Sequence, residues 1–247
     1  MNFSSEKSNP LFATGLNNGP SVLNSSVKVR LGFLKKVYGI LSIQLAFTTV
    51  MSAIIMMSPS VQIFIFRNQW ILWLSLIGNL ATSFGIMYKR NEYPTNFYIL
   101  GAFTFFNSIT IGITVAQYSL ALVAQAFLLT AAITVGLTIY AFTSKTDMTF
   151  LGNFLYTAIT AMFFGSLIHL FFGNSFTNTA MAVMGACLFS GYIVYDTQLI
   201  MKHLSAEEYI VGVLNLYLDI INLFLKVLKI LKALNGDEEK RNKKQRD

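Results

Sequence analysis

The sequence predicts an all-α membrane protein, a bundle of seven hydrophobic helices, on the basis of three observations. Hydrophobic residues make up 54% of the 247 residues and charged residues only 12%, whereas a soluble domain is about a quarter charged. Six uncharged apolar runs each have the length of about 20 residues that crosses a bilayer as a helix. A seventh apolar segment is as long but contains three charged residues. A chain with so little charge cannot cover a soluble surface, so we expect most of its surface to face lipid.

The predicted membrane domain covers residues 37–234. It follows a polar segment, residues 1–36, which has no apolar core of the kind found in a signal peptide and is expected to be disordered and cytosolic. Its spans, in order, are Val37–Met57, Trp70–Tyr88, Asn96–Val115, Leu120–Phe142, Phe150–Phe172, Asn178–Tyr195 extended to Ile200, and Tyr209–Leu231. The short connections at 116–119 and 173–177 predict antiparallel neighbours. A charged tail, residues 235–247, is expected to be solvated.

The distribution of Lys and Arg predicts that the N-terminus is cytosolic, because cytosolic flanks are enriched in these residues. With six crossings, 17 of the 18 Lys and Arg lie on the N-terminal side; with seven crossings they divide nine and nine. Charge therefore favours a seventh span that re-enters and returns, while its length of about 23 residues favours a full crossing. Because the basic residues flank the spans, the net charge of +7 does not indicate a nucleic-acid partner.

Two acids inside the last two spans, Asp196 and Asp219, are the strongest candidates for function. Charge in hydrocarbon is costly and usually faces a bundle interior or a polar path. Measured by helical rise from a turn at Ser205, Asp196 lies about 13 Å deep and Asp219 about 21 Å deep. If the carboxyl groups meet, they cannot both ionise cheaply and share a proton as one unit. In the ionised state their oxygens suit Ca²⁺. The alternative is a structural polar contact between helices.

The seventh span carries polar residues with the spacing of a single helical face, which indicates the wall of a polar interior. This stripe consists of Asn215, Asp219, Asn222, Lys226 and Lys229. Arg90, on the proposed cytosolic side of the second span, is a candidate latch partner for Asp196. Its alternative role is a positive-inside residue in water. The spacing of Ser205 and Glu208 predicts a capping box that starts the last helix.

These residues resemble the BAX inhibitor-1 family, also called the transmembrane BAX inhibitor motif family. Within it, the chain looks most like the branch of the Golgi anti-apoptotic protein and lifeguard 4. The resemblance extends from about Val37 to Leu234. The matching motifs are Tyr195-Asp-Thr-Gln198, Ser205-Ala-Glu-Glu-Tyr209, Leu216-Tyr-Leu-Asp-Ile-Ile-Asn-Leu-Phe224, Lys89-Arg-Asn-Glu-Tyr-Pro94 and Gln125-Ala-Phe127.

The resemblance implies a bundle whose C-terminal helix is central, and a pH-sensitive Ca²⁺ leak from internal stores that suppresses cell death. It implies that Asp196 and Asp219 are the proton-sensing pair and lie on the Ca²⁺ pathway, and that Arg90 is the latch. It further implies a Golgi or endoplasmic reticulum membrane, with lipids, Ca²⁺, protons and apoptosis-regulating membrane proteins as partners. Related proteins often have an acid in the third helix where this chain has Asn107. This difference puts in doubt an ion-pathway role for that position, and with it the ion preference of the implied leak. We expect no cofactor beyond the permeant ion, and no enzyme activity.

Three other functions fit parts of the sequence. A non-channel scaffold that regulates cell death would tolerate loss of both acids. An intramembrane aspartyl protease also has two aspartates on adjacent helices, one of them after a Tyr, as in Tyr195-Asp196. Such proteases resemble one another in Gly-x-Gly-Asp and Pro-Ala-Leu motifs, but here Leu216-Tyr-Leu precedes the second acid and no proline follows Pro94. A seven-helix receptor would place its N-terminus outside, against the charge distribution.

Overall fold

The computed structural model describes residues 27–205 and 208–244, and in these ranges the chain forms eight α-helices. They are α1 Val27–Met57, α2 Pro59–Arg67, α3 Trp70–Lys89, α4 Thr95–Val115, α5 Leu120–Thr143, α6 Gly152–Phe172, α7 Ser175–Lys202 and α8 Tyr209–Lys244. A 3-10 turn, Thr149–Leu151, precedes α6. All of these helices except α2 are long and apolar enough to cross a membrane. The prediction of a seven-span helical membrane bundle is therefore confirmed.

Both ends of the membrane domain are more helical than the sequence suggested. Helix α1 begins at Val27, inside the segment 1–36 that was expected to be disordered; residues 1–26 of that segment lie outside the described residues. Phe33 is buried in the core, so packing extends the helix below the predicted span. At the other end α8 continues to Lys244, through most of the predicted tail 235–247. This stretch has no proline and is rich in Lys, Arg and Glu, which favour helices.

The short helix α2 lies between the first two spans and was not predicted. Pro59 ends α1 at Met57, because the residue before a proline is pushed out of the α conformation. The same proline occupies the first turn of α2, where it needs no N–H partner. Ile65 of α2 is buried against Ile55 and Ile113. The amphipathic segment is thus docked on the bundle between α1 and α4.

Helix α8 is the central helix of the bundle, as the resemblance implied. It packs against α7 most extensively, and also against α5, α1, α4 and α3. Its fully buried side chains include Ile210, Leu216, Tyr217, Leu223 and Leu228. In contrast, α6 contacts mainly α7, and most of its surface faces outward. An outer ring of helices therefore surrounds a core helix that carries the candidate acids.

Helix α8 crosses the bundle completely, so the re-entrant alternative is wrong. At one end the Lys36 ammonium lies 3.5 Å from the centroid of the Tyr209 ring. At the other end the Lys232 ammonium lies 4.8 Å from the centroid of the Tyr118 ring, in the α4–α5 connection. Twenty-three residues of helix rise about 35 Å, more than the hydrocarbon thickness. With seven crossings, Lys and Arg divide nine and nine, and their count does not choose an orientation.

Candidate functional site

The carboxyl groups of Asp196 on α7 and Asp219 on α8 lie within interaction range of each other. Both residues are buried, with 5% and 6% of their surface exposed. A hydrogen bond between two carboxyl groups requires that one of them carry a proton and donate it to the other. The Oδ2 atom of Asp219 is buried and has no hydrogen-bond partner among the described residues. The two acids therefore form one buried pair inside the bundle.

The two helices bring these acids together because Asp196 lies between two turns of α8. Asn215 also interacts with Asp196, and Asn215 precedes Asp219 by one helical turn, about 6 Å. A side chain from α7 can therefore reach both turns at once. The depths expected from helical rise, about 13 Å for Asp196 and about 21 Å for Asp219, therefore do not keep the two carboxyl groups apart. The turn is also longer than a single residue at Ser205, since α7 ends at Lys202 and α8 begins at Tyr209.

The rest of the polar stripe on α8 divides into residues with different environments. Asn222 donates its amide to the Leu218 carbonyl of its own helix, at 2.8 Å, so it makes no bridge to another helix through that bond. Lys226 lays its aliphatic stem across Gly185 of α7, where an added Cβ would lie 2.7 Å from the Lys226 Cε. Lys229 is exposed. Of the stripe residues, Asp219 belongs to the acid pair and Asn215 lies beside it; the other three lie in different surroundings.

A third buried acid, Glu208, lies just before α8 and was predicted only as a helix cap. Its Oε2 accepts hydrogen bonds from the backbone N–H of Ser205 at 3.1 Å and from the Ser205 hydroxyl at 3.0 Å. Half of the capping box is thus present, although the helix itself starts at Tyr209. Glu208 and Asp196 line a common cavity of about 30 Å³ with Asn215, and the other lining residues are apolar; its volume is large enough for a water molecule. Nothing in the sequence pattern indicated that this glutamate is buried.

The residues around Asp196 attach α7 to the α5–α6 connection. Gln198 is fully buried; its Oε1 accepts from the Met148 N–H at 2.7 Å, and its Nε2 donates to the Thr146 carbonyl at 3.1 Å. Tyr195 packs on the start of α6, where a Cβ at Gly152 would lie 2.8 Å from its hydroxyl oxygen. The Tyr195–Gln198 motif therefore fixes the helix end that presents Asp196. Sequence reasoning quoted Gln198 in the motif but gave it no role.

Arg90 ends α3, and its carbonyl accepts a hydrogen bond from the Asn96 amide at 2.8 Å. Among the described residues, the ion pairs do not include one between Arg90 and Asp196. The pairing of Arg90 with Asp196 as a latch is therefore not a contact of this structure and stays a prediction.

A polar network crosses the bundle on the far side of α8 from the acid pair, and it was also not predicted as a unit. The fully buried Tyr217 hydroxyl is 2.8 Å from the Thr48 Oγ1 of α1 and accepts from the Asn107 amide of α4 at 3.0 Å. Asn79 of α3 donates to the Asn107 Oδ1 at 3.4 Å. Asn107 is thus satisfied by neutral partners on two helices. Asn107 is therefore part of a hydrogen-bonded core.

The arrangement can exchange a proton and can offer carboxylate oxygens to a cation. Ionisation of the pair creates an uncompensated charge in a low-dielectric interior, which a second proton or a bound cation relieves. Within the described residues there is no group of three or more His, Cys, Asp or Glu side chains placed to hold a metal ion. Tight binding of a resident Ca²⁺ takes six or more oxygens, and the two carboxyl groups supply four.

Comparison with known proteins assigns the chain to a family. Residues 30–236 match the family described as "Inhibitor of apoptosis-promoting Bax1". The chain is 39% identical over 219 residues to protein lifeguard 4 of Mus musculus, which covers 89% of this chain and 92% of the relative.

The chain belongs to the Bax inhibitor family. It is also 37% identical to the Golgi anti-apoptotic protein of vaccinia virus (strain Lister), over 89% of this chain and 92% of that protein. It is 34% identical to Bax inhibitor 1 of Schizosaccharomyces pombe, over 90% of this chain and 84% of that protein. The predicted resemblance is confirmed. Since the Bax inhibitor match spans α1 to α8, it includes both helices of the acid pair.

Proposed function

We propose that this protein is a pH-sensitive Ca²⁺ leak channel of an internal membrane, which regulates Ca²⁺ store content and suppresses cell death. The observation that carries the proposal is the buried contact between Asp196 and Asp219. Family membership supports the cell-death part, because one relative is named an anti-apoptotic protein and another a Bax inhibitor. The viral relative's name also supports a Golgi membrane, with the endoplasmic reticulum as the alternative compartment.

The proposed gate is the protonation state of the pair. With one shared proton, Asp196 and Asp219 hold α7 against α8 and close the polar path. Loss of that proton leaves two negative carboxylates in contact, which repel each other and attract Ca²⁺. In this ionised state Arg90, the proposed latch, would form an ion pair with the Asp196 carboxylate. Glu208 lines the same small cavity as Asp196, near the end of the bundle at which α8 begins, and we place that end of the proposed ion path there.

The test is Ca²⁺ release from liposomes that contain the purified protein and a trapped Ca²⁺ indicator. We expect release above that of protein-free liposomes, and a release rate that rises with pH over a series in which lipid leakage is constant, because the proposed gate opens when the pair loses its proton. A non-permeant dye in the same liposomes controls for membrane rupture. Release equal to that of empty liposomes at every pH would reject the channel and favour the scaffold.

The proposed orientation places the N-terminus in the cytosol and, because α8 crosses fully, the C-terminus in the lumen. The charge count is balanced, so this proposal rests on the basic residues at the start of the first span, which usually dominates orientation. Arg30, Lys35 and Lys36 lie in the first ten residues of α1. The native sequons at Asn2 and Asn24 would then face the cytosol and stay unmodified.

We expect a glycosylation acceptor fused after Asp247 to be modified in cells and one fused before Met1 to remain unmodified. The measurement is the mobility shift that a glycosidase removes. A variant in which Asn2 and Asn24 are both replaced by Gln removes native acceptors as a control. Modification of the N-terminal acceptor alone would reverse the proposed orientation, and modification of both or neither would contradict a seven-crossing topology.

A further inference from the structure

A groove in the lipid-facing wall lies between α1 and α5, away from the acid pair. It has a volume of about 240 Å³, and α8 forms its floor through Leu216 and Ile220. For comparison, an apolar cavity of about 150 Å³ is large enough to bind benzene. The wall residues are Tyr38, Leu41, Ser42 and Leu45 of α1, and Thr134, Val135, Thr138 and Ile139 of α5. Since both walls are membrane spans, the molecules that can reach this groove are membrane lipids.

The groove has an aromatic end and an inner end, and its lining is mainly apolar. Tyr38 and Phe142 meet at the end nearer the start of α1, with ring centroids 5.9 Å apart. Tyrosine rings such as that of Tyr38 are enriched at the level of the lipid headgroups. Leu45 lies at the inner end, about 10 Å along the helix from Tyr38. The buried Thr134 hydroxyl on the inner wall has no hydrogen-bond partner among the described residues. These positions fit a lipid whose glycerol region lies level with the Tyr38–Phe142 ring pair and whose acyl chain extends toward Leu45.

Positive charge lies beyond the aromatic end of the groove. Lys35 is exposed and precedes Tyr38, Ser42 and Leu45 on the same face of α1, at spacings of three, four and three residues. On the other wall, Lys145 is exposed just after α5 ends at Thr143. Two lysines at headgroup level favour a lipid with net negative charge over a zwitterionic or neutral one.

We propose that this groove binds one anionic phospholipid, with an acyl chain between α1 and α5 and its phosphate beside Lys35 and Lys145. A bound chain would fill the space over Leu216 and Ile220 of α8. The lipid would thus support the central helix from the membrane side. This site does not depend on the proposed channel activity.

The test is native mass spectrometry of the delipidated protein titrated with phosphatidylserine or with phosphatidylcholine of identical acyl chains. We expect wild type to bind one phosphatidylserine more tightly than phosphatidylcholine. Replacing both Lys35 and Lys145 with Ala should remove that preference, with a loss of about fivefold per lysine. Val135→Trp and Ser42→Trp, on the two rims of the groove, should weaken binding of both lipids. Leu80→Trp, on the lipid-facing side of α3, is the matched control and should bind as wild type.

Each other outcome overturns the proposal. If wild type binds the two phospholipids equally, the groove does not select an anionic lipid, and the proposal is rejected. Wild-type binding by both Trp variants would show that the lipid lies elsewhere. Displacement of phosphatidylserine by cholesterol, added as a competitor, would assign the groove to a sterol. Because binding is measured directly, none of these outcomes depends on Ca²⁺ release.

Discussion

Asp219→Asn should make Ca²⁺ release independent of pH while leaving the protein folded. Asparagine keeps the size of the side chain and can still hydrogen-bond to Asp196, but it cannot lose a proton. The pair then has one titratable carboxyl with an amide donor beside it, so the repulsion that the proposed gate requires no longer forms. Release from liposomes over a pH series should give a flat profile in place of the wild-type slope.

Two control variants sharpen this prediction. Asp196→Asn removes the other half of the pair and should flatten the profile in the same way. Glu92→Gln removes an exposed acid that pairs with Lys89 at 2.8 Å outside the spans, and should keep the wild-type slope. Thermal stability in detergent should be unchanged or higher for both Asn variants, because each removes a buried group that is costly to ionise. A wild-type pH profile in Asp219→Asn would contradict the proton-sharing gate.

Hydropathy was sufficient to locate the spans, because each bilayer crossing needs its own apolar run. The predicted starts at Trp70, Leu120 and Tyr209 are the starts of helices in the structure. The seventh span shows where charge counting fails. The eight Lys and Arg from Lys226 onward favoured a segment that turns back, yet Lys226 extends its stem over Gly185 and Lys229 is exposed. Long cationic side chains can lie on apolar surface with their charge in a wetter region, so they do not stop a helix from crossing.

Sequence predicted the acid pair but not its surroundings. Asp196 and Asp219 stand out because an acid in an apolar run is rare and expensive. Glu208 does not stand out, because an acid at a helix start has an ordinary role as a cap. The partners of Asn107 and Tyr217 come from helices far apart in the chain; Thr48 and Tyr217 are 169 residues apart. Such pairings depend on which helix faces meet, and local pattern does not contain that information.

The second large effect is expected at Tyr217, where one side chain connects the central helix to two others. Its ring is fully buried and packs edge-on against Phe103, with centroids 5.9 Å apart. Its hydroxyl is in contact with Thr48 and Asn107. Tyr217→Ala should therefore leave a cavity in the middle of the bundle as well as unsatisfied polar groups. We expect a loss of about 3–5 kcal/mol, the range for deleting a large buried aromatic side chain.

Tyr217→Phe separates the two contributions, because it keeps the ring and removes only the hydroxyl. Hydrogen bonds between membrane helices contribute about 1–2 kcal/mol or less, so this variant should lose much less stability than the Ala variant. Tyr140→Ala, on an exposed face of α5, is the control for an aromatic ring that meets lipid instead of protein. The measurement is the fraction of monodisperse protein after heating in detergent. Equal losses for Tyr217→Ala and Tyr140→Ala would mean that α8 is not held by its contacts with α1 and α4, and the central position of the helix would then need another explanation.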